Sequence, residues 1–155
     1  IGGVLLGASL TFTLAGTKGS DFAAETFVLR NQHGPWNELG HPLTGTQGLP
    51  RQTGEGALVG GDVFKFKLRD ARPLTQAFHI VGVSTLNAPL KGGVLVPAVN
   101  FINAFPHTNA QGELALTGHW IPFPSGLTLY FQFWLPDPQG PAGFAASNAI
   151  SATMP

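Results

Sequence analysis

Apolar and polar residues alternate with a period of two along most of the chain, which is the repeat of a strand with one buried face. In the first such segment Leu6, Ala8, Leu10, Phe12 and Leu14 share one face, while Gly7, Ser9, Thr11 and Thr13 share the other. The same logic predicts strands at Thr26 to Leu29, Val63 to Leu68, Phe78 to Val83, Val94 to Val96, Glu113 to Thr117, Leu127 to Leu135 and roughly Gly143 to Ala152. Glycine and proline punctuate the intervals, as at Arg72-Pro73, Gly92-Gly93 and Asn109 to Gly112. No stretch carries a helical stripe. About eight short strands separated by turn signals predict an all-β, single-domain antiparallel two-sheet β-sandwich of jelly-roll or Greek-key type spanning residues 1–155.

Two segments depart from simple alternation. Leu127 to Leu135 holds Tyr130, Phe131, Phe133 and Trp134, so both of its faces are apolar. A strand of that kind is covered on both sides, which predicts a central position. Residues 31–57 show no clear period and contain Pro35, Pro42, Pro50 and several glycines, which predicts one long Gly/Pro-rich loop. That loop would present Trp36, His33 and His41.

Charge changes the picture by its scarcity. Eight Lys+Arg balance eight Asp+Glu, and charged residues make up only 10% of the 155 positions. Phosphate contacts need clustered cations, and the one dense run, Lys65-Phe66-Lys67-Leu68-Arg69, reads as the polar face of a strand. Nucleic acid is therefore not an expected partner. The absence of cysteine removes disulfides, thiolate metal sites and cysteine nucleophiles. Glycines interrupt the uncharged residues 1–17, so no membrane-spanning helix is expected there. The chain begins with Ile1 and not Met, so either a leader has been removed or the start is missing, and a cleaved signal peptide fits the first of these.

The candidate chemistry is sparse. The five histidines lack the close spacings a zinc site favours, although His33, Glu38 and His41 share the long loop. His79 lies within a strand, on the face opposite Phe78, and is expected to be a hydrogen-bonded residue of a half-exposed face. The carboxylates are scattered, with Asp62 and Asp137 placed as turn residues. No serine sits in a nucleophile elbow. The expectation is no enzyme, no metal and no cofactor.

Several blocks form an ordered series: Gly-Asp-Val-Phe-Lys-Phe-Lys-Leu from Gly61, Ala-Phe-His-Ile-Val-Gly-Val-Ser from Ala77 and Pro-Leu-Lys-Gly-Gly-Val-Leu-Val-Pro from Pro89. Gly-Glu-Leu-Ala-Leu-Thr-Gly follows from Gly112, then Gly-Leu-Thr-Leu-Tyr-Phe-Gln-Phe-Trp-Leu-Pro-Asp-Pro from Gly126 and Gly-Phe-Ala-Ala-Ser-Asn-Ala from Gly143. Over residues 55–155 the series resembles a β-sandwich module of secreted and cell-surface proteins from planctomycete-like bacteria. The resemblance implies an extracellular setting and a β fold, and it carries no catalytic residues.

Two functions follow as expectations. The first is an extracellular structural protein that assembles with other copies of itself into a filament or layer. Residues 1–16 would supply the contact, either as a donated strand carrying Leu6, Ala8, Leu10, Phe12 and Leu14 or as an ordinary N-terminal edge strand. The alternative is a secreted carbohydrate- or surface-binding module, with Trp36 as the stacking residue beside His33 and His41.

Overall fold

The structure is a computed structural model that describes residues 10–13, 26–29 and 35–155. It divides into two compact units, Ile1–Gly34 and Pro35–Pro155. The described residues contain thirteen strands and no α-helix. In the first unit β1 (Leu10–Thr13) and β2 (Thr26–Leu29) form an antiparallel pair, with Leu10 opposite Leu29 and Thr13 opposite Thr26.

The second unit is a β-sandwich. Its strands are β3 (Trp36–Gly40), β4 (Arg51–Glu55), β5 (Val63–Arg69), β6 (Phe78–Gly82), β7 (Thr85–Leu90) and β8 (Gly93–Pro97). They continue with β9 (Phe101–Asn103), β10 (Leu114–His119), β11 (Thr128–Pro136), β12 (Phe144–Ala146) and β13 (Ala149–Thr153). Three strands in the order β10-β5-β4 make one sheet, and β3-β13-β11-β6-β9 make the other, with β12 added to β11. The β7-β8 hairpin forms a separate ladder. All the ladders are antiparallel.

The expected count of eight strands is corrected upward for identifiable reasons. The segment from Gly143 to Ala152 is two strands, because Ser147 and Asn148 interrupt the ladder between β12 and β13. The 31–57 segment is not one long loop, since it contains β3 and β4. Each is an edge strand, and each buries a single side chain, Trp36 in β3 and Gln52 in β4, so neither has an apolar stripe to read. β7 contains Pro89, which a hairpin edge tolerates, and β9 is only three residues long.

The sandwich core lies between the two sheets. Phe66 and Leu68 from β5 meet Phe131, Phe133 and Leu135 from β11, with Trp36, Trp120 and Ile150 around them. Phe66 and Phe131 have ring centroids 4.8 Å apart. Each buried aromatic or leucine contributes about 1.5–3 kcal/mol through removal from water, and favourable ring pairs add about 0.5–1.5 kcal/mol. Two strand glycines exist because rings lie on them. A Cβ on Gly54 would sit 2.3 Å from Cε3 of Trp36, and one on Gly118 would sit 2.7 Å from Cζ of Phe64.

The opposite face of the large sheet is also covered. Trp134 and Ile80 pack there with Leu95, Leu43 and Ala146. β11 is therefore central and buried on both faces, as its two-sided apolarity predicts.

Candidate functional site

Trp36 is not an exposed stacking residue. It is 8% exposed, and its ring packs edge-on to Phe66 at 5.4 Å and near Phe131 at 5.8 Å. Its indole N–H donates to the carbonyl of Gly56 at 3.1 Å. The reason is topological: β3 pairs with β13 at the rim of the large sheet, and the first residue of β3 turns into the gap between sheets. His41 is exposed, with a left-handed backbone at φ 62°, and its carbonyl accepts from the Gln132 amide at 3.4 Å. His33 lies outside the described residues, as do Leu6, Ala8 and Leu14. Leu10 and Phe12 belong to β1, opposite Leu29 and Phe27. Among the described residues no three His, Asp or Glu side chains converge as metal ligands.

His79 is on the face opposite Phe78, but that face is the core and not a half-exposed surface. Its ring stacks on Phe133 at 4.2 Å and meets Phe66 edge-on at 4.7 Å. Burial penalises the imidazolium and holds the pKa down to about 3. Among the described residues its only side-chain hydrogen-bond partner is the Gln52 amide, 3.5 Å from Nε2. A neutral ring wedged among phenylalanines and facing no carboxylate is a packing residue.

Gln52 belongs to a polar cluster that ties the sheets together. The Asn148 side chain accepts from the Gln52 backbone N–H at 2.7 Å and donates to its carbonyl at 3.1 Å. One amide thus stands in for a missing strand partner between β4 and the β12–β13 turn. The Ser147 hydroxyl donates to Gln52 Oε1 at 3.1 Å and accepts from the Phe133 N–H at 3.0 Å.

Gln132 plays the same part on the other side of β11. Its Oε1 accepts from the Val96 N–H at 3.0 Å and from the Trp134 indole at 3.1 Å. Its Nε2 donates to the carbonyls of Val94 at 3.1 Å and Ser147 at 3.2 Å. Gln132 is completely buried and holds β8 to the sheet.

Asp137 does more than occupy a turn. Burial alone would raise its pKa, but the Thr46 hydroxyl, the Thr46 and Gln139 N–H groups and the nearby Arg72 charge outweigh that cost. The carboxyl is held below its ordinary range, and it anchors the 44–48 turn through two 2.7 Å bonds to Thr46.

These polar groups are structural, and the surface that stands apart is the β9 edge. β9 pairs with β6, with Ile102 opposite Ile80 and Phe101 opposite Val81, and it ends the large sheet. Phe101 and Ile102 point to opposite faces and both are exposed. Val83 and Val99 are exposed at neighbouring positions, and Phe105 is 90% exposed. No Asp, Glu, Lys or Arg occurs between Lys91 and Glu113. Sheet edges are ordinarily protected by charge, proline or cover. Here proline flanks the strand at Pro97 and Pro106, while the strand itself is apolar on both faces.

The alternation signal that reveals longer strands could not find this site, because three residues are too few to show a period. The signal that does mark it is the uncharged run around Phe101, Ile102 and Phe105. No helix of the described residues is long and apolar enough to cross a membrane. No family model, no curated protein and no solved structure matches the chain.

Proposed function

We propose that this chain is a structural subunit of the cell exterior that self-associates by strand addition, with an apolar strand of one copy joining the β9 edge of the next. The observation that carries this reading is the uncharged edge at β9, where Phe101, Ile102 and Phe105 are exposed together. An added strand would satisfy the backbone groups of that edge and cover its side chains, which supplies affinity and register. The candidate donor is the segment carrying Leu6, Ala8, Leu10, Phe12 and Leu14. Its described part, β1, pairs with β2 along one side, and a strand has a second side available for hydrogen bonding. A two-stranded ribbon is marginal alone in water and gains from joining a larger sheet. Addition of a donor to an acceptor on a different surface is head-to-tail and propagates as a filament unless it closes. The exterior setting is what the resemblance of residues 55–155 to secreted and cell-surface modules implies.

The test is light scattering and negative-stain electron microscopy of the full chain beside the double variant Phe101→Lys, Ile102→Lys. Wild-type chain is expected to form filaments or large oligomers, and the variant to remain monomeric with an unchanged melting temperature. A monodisperse wild-type monomer at high concentration, or a variant that assembles equally well, would overturn the reading.

A further inference from the structure

The outer face of the three-stranded sheet has a different character from every other surface of the sandwich. Arg51 on β4 and Lys65, Lys67 and Arg69 on β5 lie on that face, so half of the chain's eight Lys+Arg occupy one side of two adjacent strands. The ladder sets Arg51 directly opposite Arg69. Like charges in that relation oppose folding, and the fold relieves them little. Arg51 reaches Glu38 only at 3.9 Å between exposed side chains, an arrangement that contributes almost nothing. Lys67 pairs with Glu55. Among the described residues Lys65 and Arg69 have no ion pair. A shallow groove of about 500 Å³ runs beside them, lined by Lys65, Lys67, Arg69, His107, Asn109 and Glu113. Glu113 is held by Asn109, whose amide donates to its carboxylate at 3.4 Å.

We propose that this face binds a linear acidic polysaccharide. The cations lie in a row and do not converge. Side chains at alternate strand positions are about 7 Å apart along the strand, so Lys65, Lys67 and Arg69 suit a ligand that repeats its negative charge along a chain better than a single compact anion. Thr53 and Thr117 are exposed on the same face and offer hydroxyls to uncharged sugar positions. Among the described residues no Phe, Tyr or Trp lies on this face, and its rings are the imidazoles of His119 and, in the groove, His107, so it lacks the stacking platform of single-strand nucleic-acid binders. Glu55 and Glu113 temper the charge and make the contact salt-sensitive and modest. The proposal is independent of strand addition at β9, which lies in the other sheet.

The experiment measures binding of the full chain to immobilised polygalacturonate at low and high salt, with dextran and duplex DNA as comparison probes. Wild type is expected to bind polygalacturonate at low salt, to release it at high salt, and to ignore dextran. The Lys65→Gln, Arg69→Gln double variant is expected to bind about five- to tenfold more weakly, as befits one half-buried and one exposed charge at a sheet surface. Lys91→Gln, which alters a cation of the β7–β8 turn, should change nothing. Equal melting temperatures would establish that the double variant is folded, and if it were not, the single Lys65→Gln variant would be measured in its place. Binding unchanged by the substitutions, no binding by wild type, or duplex DNA bound as tightly as polygalacturonate would each overturn the proposal.

Discussion

β11 and β9 belong to one sheet and carry the same local signature, apolar residues on consecutive positions, yet they meet opposite fates. In β11, Phe133 faces the small sheet and Trp134 faces the β7–β8 hairpin, so both are buried. In β9, Phe101 and Ile102 also point to opposite faces, and both remain exposed. Two-sided apolarity therefore states only that a strand can be covered on both faces. Whether the cover comes from the same chain depends on where the strand lies in the sheet. At the centre it comes from the two neighbouring layers, whereas at the β9 edge the described residues leave Phe101 and Ile102 exposed, the observation from which strand addition is proposed.

The largest effect is expected at the centre of β11. Phe133→Ala removes a fully buried ring that also stacks on His79, and should destabilise the fold by about 3–5 kcal/mol in chemical denaturation. A loss under about 1 kcal/mol would mean that the core collapses around the gap.

Gln132→Leu keeps the volume near that of the native side chain but strands the Val96 N–H, the Trp134 indole and the Val94 carbonyl. Leaving such groups buried without partners costs about 1–3 kcal/mol apiece when they stay dry. The total should fall below that of Phe133→Ala, because water can reach part of the hairpin once it loosens. Faster hydrogen exchange at Val96 than at the β11 amides would show that the hairpin detaches first.

His79 provides a smaller effect with a defined sign. Its folded pKa of about 3 lies below the unfolded value of 6.5, so between those limits the unfolded chain binds the extra proton. The stability associated with the neutral ring is present above pH 6.5 and is lost as pH falls toward 3, by about 1.4 kcal/mol per pH unit while the difference in protonation lasts. His79→Leu should flatten the stability profile through that window. Asp137 also loses stabilisation on acidification, but only as pH falls through the ordinary carboxylate range and below it, so it does not mask the upper part of the window. A wild-type profile already flat between pH 6.5 and 4 would refute the assignment.

The smallest change in stability is expected at β9. Phe101→Lys and Ile102→Lys replace exposed side chains and should alter unfolding by no more than about 0.5 kcal/mol, while the proposed strand addition predicts that they abolish assembly. That split between stability and association is the sharpest distinction between the two strands.

Much of the strand content was legible because alternation survives wherever a strand has one buried face and sufficient length. β5, with Phe66 and Leu68 inward and Lys65 and Lys67 outward, is the plainest case. The central placement of β11 was legible for a related reason, since aromatic residues on both faces demand two layers of cover. The candidate sites were much less legible. Trp36 stands among prolines and glycines in the chain, and only its ladder with β13, more than a hundred positions away, turns it into the core. His79 reads as polar, but the neighbours that exclude water from it come from β5 and β11. Arg51 and Arg69 become opposed only through the β4–β5 register.

The sequence by itself determined the all-β character, the turn positions and the inward and outward faces of the longer strands, because those depend on near neighbours and on the period of the backbone. Tertiary structure alone decided which edges lie open, which aromatic residues are buried and which cations share a face. Those outcomes depend on pairing between distant segments, and the period of two does not record which strand lies next to which.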